Sequence, residues 1–224
     1  MLQAQTYDVV QGSPEWHIVR CGKITASHLD DVLASPTAAA LKADKNAESK
    51  TRANYRAKLV AERMSGIVIQ NGFSSAAMER GTEMEKFARA AYETAFNVFV
   101  DQIGFADHPT IPMCGASPDG FVGKRGLIEI KCPNTLTHIS YLKAGIVPAE
   151  YVKQMQWQME VLDRDWCDFV SYDDRMPNSH KLFVRRLARD DKFLDEARKS
   201  VILFGQQIEA EIKAVLATTP YLLN

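Results

Sequence analysis

Apolar residues recur along this chain at two spacings, every three to four positions in some stretches and every second position in others, and the two rhythms predict helices and strands respectively. The helical spacing predicts a short helix from His28 to Leu33, with Thr25 or Ser27 placed to cap it, and a longer one from about Ser49 to Met64. In the latter Tyr55, Leu59, Val60 and Met64 face inward, Arg52, Arg56 and Arg63 face largely outward, and Gly66 closes the helix. Further helices are predicted from about Glu83 to Phe96 (Met84, Phe87, Ala88, Ala91, Ala95), from Pro148 through Leu162 (Val152, Met155, Met159), and from an Asp190 or Asp191 cap through Phe193, Ala197, Val201, Phe204, Ile208, Ile212 and Val215. Strand-like runs fall at Val98 to Val100, Gly104 to Ala106, Phe121-Val122, Leu127 to Lys131, Asp168 to Tyr172 and Leu182 to Leu187. The Ala-rich, polar stretch Ser35 to Asn46 reads as a loop. With no internal repeat and no linker between two cores, the order predicts a single α/β domain, a mixed sheet flanked by helices.

Composition narrows the picture mainly by exclusion. The 224 residues, 46% of them apolar, suffice for one substantial core, and 27 basic against 28 acidic residues give a net charge of -1. Any affinity for a polyanion must therefore come from a local surface. Cys21, Cys114, Cys132 and Cys167 lie far apart with no zinc-ligand spacing, so they read as reduced thiols in a cytoplasmic protein. No leader-like or membrane-spanning apolar run is expected.

The chemistry concentrates between Ala116 and Pro133, which reads as one hairpin turning at Gly123-Lys124-Arg125. Setting Val122 opposite Gly126 places Asp119 opposite Glu129, with Cβ atoms roughly 4.5 to 5.5 Å apart. Two facing carboxylates repel unless a cation or proton lies between them. Glu129 and Lys131 share one face of the strand while Ile128, Ile130 and Cys132 take the other. Carboxylate oxygens without His or Cys suit Mg²⁺ or Mn²⁺, which commonly serve phosphate-bearing substrates. The competing reading makes Asp119 a turn residue and Glu129 with Lys131 a solvated face; the apolar context of a central strand weighs against it.

Asp119, nine intervening residues, then Glu129-Ile130-Lys131 resembles the signature shared by restriction enzymes and recombination nucleases. Five blocks carry a closer likeness: Arg20 to Ser27, Gly81 to Glu85, Ser117 to Gly120, Glu129 to Pro133 and Tyr151 to Gln156. In order and spacing they resemble the lambda-phage-type alkaline exonuclease family over roughly residues 12 to 187. The resemblance implies a restriction-endonuclease-like fold, a homotrimeric ring around duplex DNA and 5′ to 3′ digestion of one strand from a double-strand end. It further implies mononucleotide products, a remaining 3′ single strand, and a single-strand-annealing recombination protein as partner.

Carried over by position, Asp119, Glu129 and the Ile130 carbonyl would hold the metal, two ions in all, with Glu85 completing the acidic cluster, Lys131 serving the attacking water as base or orienting group, and Gln154 assisting. Arg20, Ser27 and Ser117 match positions that grip the 5′-phosphate, and Met78 matches an apolar wedge that splits the terminal base pairs. Structural alternatives stand beside these roles. Thr82 with Glu85 forms a capping-box pattern, Ser27 can cap a helix beside a surface Arg20, Gln154 can sit on an exposed face, and Met78 can be a core residue. The chain departs from the family at Thr37 and Thr137, where basic residues are usual, so backbone contacts would shift to Lys42, Lys45, Arg52 or Lys143. A structure-specific or restriction-type endonuclease, an end-binding module without chemistry, and a hydrolase of small phosphate esters are the competing functions.

Overall fold

The computed structural model describes residues 4–45, 47–69 and 76–218, with the side chains of 76–78 also outside the description. The chain runs through β1 (Thr6–Tyr7), α1 (Pro14–Arg20), β2 (Ile24–Thr25), α2 (Leu29–Leu33), α3 (Ala38–Ala43), α4 (Lys50–Ser65) and α5 (Ala76–Phe96). Then come β3 (Val100–Asp101), β4 (Phe105–Asp107), β5 (Cys114–Ala116), β6 (Gly120–Val122) and β7 (Gly126–Lys131). The remainder is α6 (Thr135–Ala144), α7 (Ala149–Leu162), β8 (Trp166–Tyr172), β9 (Leu182–Ala188) and α8 (Asp191–Leu216).

Two mixed sheets result, four-stranded β1-β4-β5-β2 and five-stranded β3-β6-β7-β8-β9, rather than the one sheet expected. The extra sheet is built partly from strands of two or three residues, too short to leave an alternating signature. The hairpin register is the expected one, Val122 opposite Gly126, although the ladder stops at Gly120–Ile128 and leaves Asp119 one step beyond it. β7 is central, antiparallel to β6 and parallel to β8, and Gly126 to Ile130 are buried. Gly126 is required there: a Cβ would stand 2.2 Å from the ring of Trp166 on the neighbouring strand.

Alternation on β7 sorts the two faces. Ile128 and Ile130 pack with Ala88, Tyr92 and Val170 beneath α5, while Leu127 joins Met155, Met159 and Phe169 beneath α7. Glu129 and Lys131 therefore lie on the α7 side, continuing the row begun by Leu127. α8 covers the other cluster with Leu194, Ala197, Val201, Phe204 and Ile208. Each large apolar side chain so buried contributes about 1.5–3 kcal/mol.

The ends follow local chemistry. Ser49 and Asp190 cap α4 and α8 by accepting from Arg52 N and Phe193 N, and Gly66 in the left-handed region (φ 68°) terminates α4. Several expectations fail. The loop expected at Ser35 to Asn46 contains α3, Met64 and Phe87 are 43% and 50% exposed, and neither Thr25 nor Ser27 caps α2 with its side chain. Arg52, Arg56 and Arg63 are largely covered, each paired with a glutamate: Glu48, Glu48 and Glu211, and Glu209. Among the described residues the cysteines are unpaired, and no helix is long and apolar enough to cross a membrane.

Candidate active site

Asp119 sits in the three-residue connector from β5 to β6, so it marks the passage from one sheet to the other. Its backbone N–H donates to Ile128 O (3.1 Å), and its carboxylate accepts the N–H of Ile130 (2.5 Å), which ties it to the middle of Glu129-Ile130-Lys131. Glu129 is 1% exposed, yet no donor it meets is wasted: Oε1 accepts from Lys131 Nζ (2.6 Å) and Gln154 Nε2 (2.7 Å), and Oε2 from Gln158 Nε2 (2.6 Å). Lys131 Nζ also lies 5.2 Å from the centre of the Tyr151 ring. The expected shared face of Tyr151 and Gln154 is thus present, and Gln154 is not on an exposed surface.

The electrostatics mark a charge in want of a counter-ion. Desolvation, then the charge of Glu129, push the Asp119 carboxyl well above the ordinary carboxylate range, with Glu85 adding to the effect. Glu85 on α5 is itself raised, by burial and by Glu129, against the opposing pull of Lys131. Burial disfavours the Lys131 ammonium, but Glu129 and Asp119 outweigh it and hold its pKa above the usual lysine value. That direction holds Lys131 as an ammonium in the metal-free site. Because α5 begins at Ala76, Thr82 lies inside the helix, and the capping-box reading of Thr82 with Glu85 is ruled out.

The donors are carboxylate oxygens, with the Ile130 backbone at hand, a set that fits a hard divalent cation. Among the described residues no three His, Cys, Asp or Glu side chains form a ready-made cage, so the fit rests on the Asp119–Glu129 pair. A raised carboxyl contributes stability that is complete below its unfolded pKa and is lost as pH rises through the folded value. Thermal melts in chelator are therefore expected to fall as pH climbs from the ordinary aspartate range toward neutrality. Asp119→Asn should flatten that slope, and an equal slope in the variant would contradict the assignment.

Arg20, Ser27 and Ser117 do converge. Arg20 Nη1 donates to Ser117 Oγ (3.1 Å), Nη2 lies 3.5 Å from Ser27 Oγ, and the guanidinium stacks 3.8 Å above the Trp16 ring. Ser117 Oγ also accepts from Trp16 Nε1 (3.0 Å), so both its acceptor positions are used and its own proton remains to donate. No carboxylate among the described residues pairs with Arg20, whose pKa is pulled down to about 10 by burial, with Tyr55 and Glu62 opposing. A guanidinium surrounded by hydroxyls and an aromatic face has the chemistry to receive an anion. It borders a cleft of about 320 Å³ lined by Trp16, Lys23, Thr25, Tyr55 and Lys58 among others.

Other expectations divide. The Met78 side chain lies outside the described residues. Arg52 is committed to Glu48, Gln207 and the Val32 carbonyl, so it is not a free DNA contact, whereas Lys42, Lys45 and Lys143 are exposed. Thr37 and Thr137 serve helix starts, Thr37 as the cap of α3 and Thr137 by donating its N–H to Asn134. Sequence reasoning missed Trp16 and Gln158; the second falls on the face set by Tyr151 and Gln154, one turn farther on, a spacing that could have revealed it.

The α/β fold, with buried carboxylates beside the Arg20 cluster, is that of a nuclease-class protein. A family model for the YqaJ-like viral recombinase domain matches residues 15–165, and the chain belongs to that family. It is similar to the alkaline exonuclease of Laribacter hongkongensis, seen in two crystal structures, one of them a complex with dAMP: 45% identity, TM-score 0.80, covering 91% of this chain and 96% of that one. A phage-related exonuclease from Haemophilus somnus shares the fold at 17% identity and a TM-score of 0.64, covering 90% of this chain and 99% of that one. An uncharacterised protein of Acanthamoeba polyphaga mimivirus is 29% identical over 106 residues, which are 42% of this chain and 19% of that protein's length. The likeness to lambda-type alkaline exonucleases stands, and these relatives support a DNA exonuclease.

Proposed function

We propose that the chain is a Mg²⁺-dependent 5′ to 3′ exonuclease that degrades one strand of linear duplex DNA to mononucleotides and leaves a 3′ single strand. One observation carries the reading. Ser117 of the anion receptor and Asp119 of the acidic pair are two residues apart in the same short connector, hence no more than about 7 Å along the backbone. A terminal phosphate held at Arg20, Ser27 and Ser117 would set the next phosphodiester of that strand near Asp119 and Glu129, which accounts for single-nucleotide steps.

Asp119, Glu129 and the Ile130 carbonyl would hold the metal, with Glu85 beside them and two ions as the working stoichiometry. When bound, Mg²⁺, or Mn²⁺ in its place, supplies an acidified water and neutralises phosphoryl charge. Lys131, kept as an ammonium, orients that water and screens the developing charge. Gln154, hydrogen-bonded to Glu129, keeps the carboxylate in place. The Arg20 fork fixes the end of the strand, a positional contribution that confines cleavage to termini. A homotrimeric ring, a cytoplasmic setting in a phage's bacterial host and a single-strand-annealing partner complete the proposal.

The same acidic pair would serve an endonuclease, but an anion receptor at fixed distance has a use only where a chain end must be captured. A time course tests this with end-labelled linear duplex, 5′-phosphate against 5′-hydroxyl, with and without Mg²⁺, alongside a closed circular duplex. Mononucleotide release from phosphorylated ends, only with metal and with the circle intact, is expected. Linearisation of the circle would favour the endonuclease, and digestion in chelator would refute the metal site.

A further inference from the structure

α7 presents Tyr151 to Lys131 and Gln154 and Gln158 to Glu129, at positions i, i+3 and i+7 along one continuous stripe of the helix. The flanking residues Met155, Trp157 and Met159 are fully buried and apolar. Within this layer Gln158 is 0% exposed, and it is the sole donor to Glu129 Oε2 among the described residues, while Lys131 and Gln154 both converge on Oε1. The other end of its amide, Oε1, is buried with no hydrogen-bond partner among the described residues.

A glutamine kept for packing would pair both ends of its amide or give way to Leu or Met, because a buried unpaired acceptor is a net cost to folding. Gln158 is held in the less favourable state, with its donor on the acidic centre and its acceptor sacrificed. From this geometry we infer that Gln158 is a positioning residue for the cation site: it stops the Glu129 carboxylate from rotating about Cγ–Cδ and so sets metal affinity. The inference rests on the metal reading of Asp119 and Glu129. As a neutral donor Gln158 leaves the charge on Glu129 intact, whereas Lys131 offsets it. Gln156, two residues earlier, faces elsewhere: its amide donates to Ala188 O (2.8 Å) and accepts from Asp190 N (2.9 Å), a splint for the turn into α8.

The test is Mn²⁺ titration of the full chain, with free Mn²⁺ followed by electron paramagnetic resonance, in wild type, Q158L and Q158M. Loss of a residue that orients a metal ligand commonly weakens binding by about 10-fold to 100-fold, so a Kd at least about tenfold higher is expected in both variants. In the metal-free melting temperature, loss of the orphaned acceptor offsets part of the cost of leaving Glu129 Oε2 without its donor, and KM for DNA should not move. A Kd within about twofold of wild type in whichever variant folds, with or without a lower melting temperature, overturns the role of Gln158. Failure of the wild-type chain to bind Mn²⁺ overturns the metal reading itself and this inference with it.

Discussion

Asp119→Ala is expected to reduce metal-dependent digestion by about 10³-fold or more while leaving the binding of duplex ends nearly unchanged. A bound divalent ion supplies several kcal/mol of charge stabilisation to phosphodiester cleavage, and each 1.36 kcal/mol is tenfold in rate. Asp119 stands at the junction of the two sheets, where among the described residues only Ile130 N holds its carboxylate, so its loss removes charge with little loss of packing. Relief of its repulsion with Glu129 should also leave the metal-free protein as stable as before or more so. Glu129→Gln is a harsher change, because both oxygens of Glu129 accept hydrogen bonds and an amide nitrogen would meet a donor at either position. Single-turnover release from a labelled end, measured beside an end-binding gel shift, separates the two effects. Digestion by Asp119→Ala within about tenfold of wild type would remove Asp119 from the mechanism.

Much of that site was legible before any coordinates. A glycine turn at Gly123 (φ 58°) between two short apolar runs sets the hairpin register, and the register alone brings Asp119 to Glu129 and puts Lys131 on the same face. The helices with long apolar stripes, α4, α7 and α8, were equally readable, as was an aspartate cap at Asp190 or Asp191, which falls on Asp190. What was hidden is of three physical kinds. Strands of two or three residues carry no period, which concealed β1, β2 and β5 and with them the second sheet. Charges paired across long sequence separation look like solvent-facing charges: Arg56 and Arg63 meet Glu211 and Glu209 only when α4 packs on α8. A Thr82–Glu85 pair has the pattern of a helix start whether or not a helix starts there, and α5 runs straight through it. Gln158 stands apart from these: its polarity reads as surface while its spacing from Tyr151 and Gln154 points inward, and the buried carboxylate of Glu129 reconciles the two.

Arg20→Gln is expected to erase most of the preference for 5′-phosphorylated over 5′-hydroxyl ends, by about 10-fold to 100-fold, with the rate on hydroxyl ends much less affected. Hydrogen bonds to a charged group are worth about 1.5–3 kcal/mol, which sets that range for one or two of them. Glutamine puts a shorter, neutral amide in the place of the guanidinium, so the positive charge is lost while a polar donor is kept. The charge matters here because the guanidinium has neutral neighbours, Ser27, Ser117 and the Trp16 face, and is partly desolvated, so an arriving phosphate meets a cation that no carboxylate among the described residues has already neutralised. Trp16→Phe refines the argument: it keeps an aromatic face under Arg20 but removes the indole N–H from Ser117, so that hydroxyl loses one of the two donors that fix the direction of its proton. Its effect should fall on the same preference, in the same direction and smaller. Parallel time courses on the two kinds of end, at matched ionic strength, read both variants. If Arg20→Gln slows phosphorylated and hydroxyl ends by the same factor, Arg20 acts on the fold or on DNA at large, and the cluster is not a receptor for the terminal phosphate.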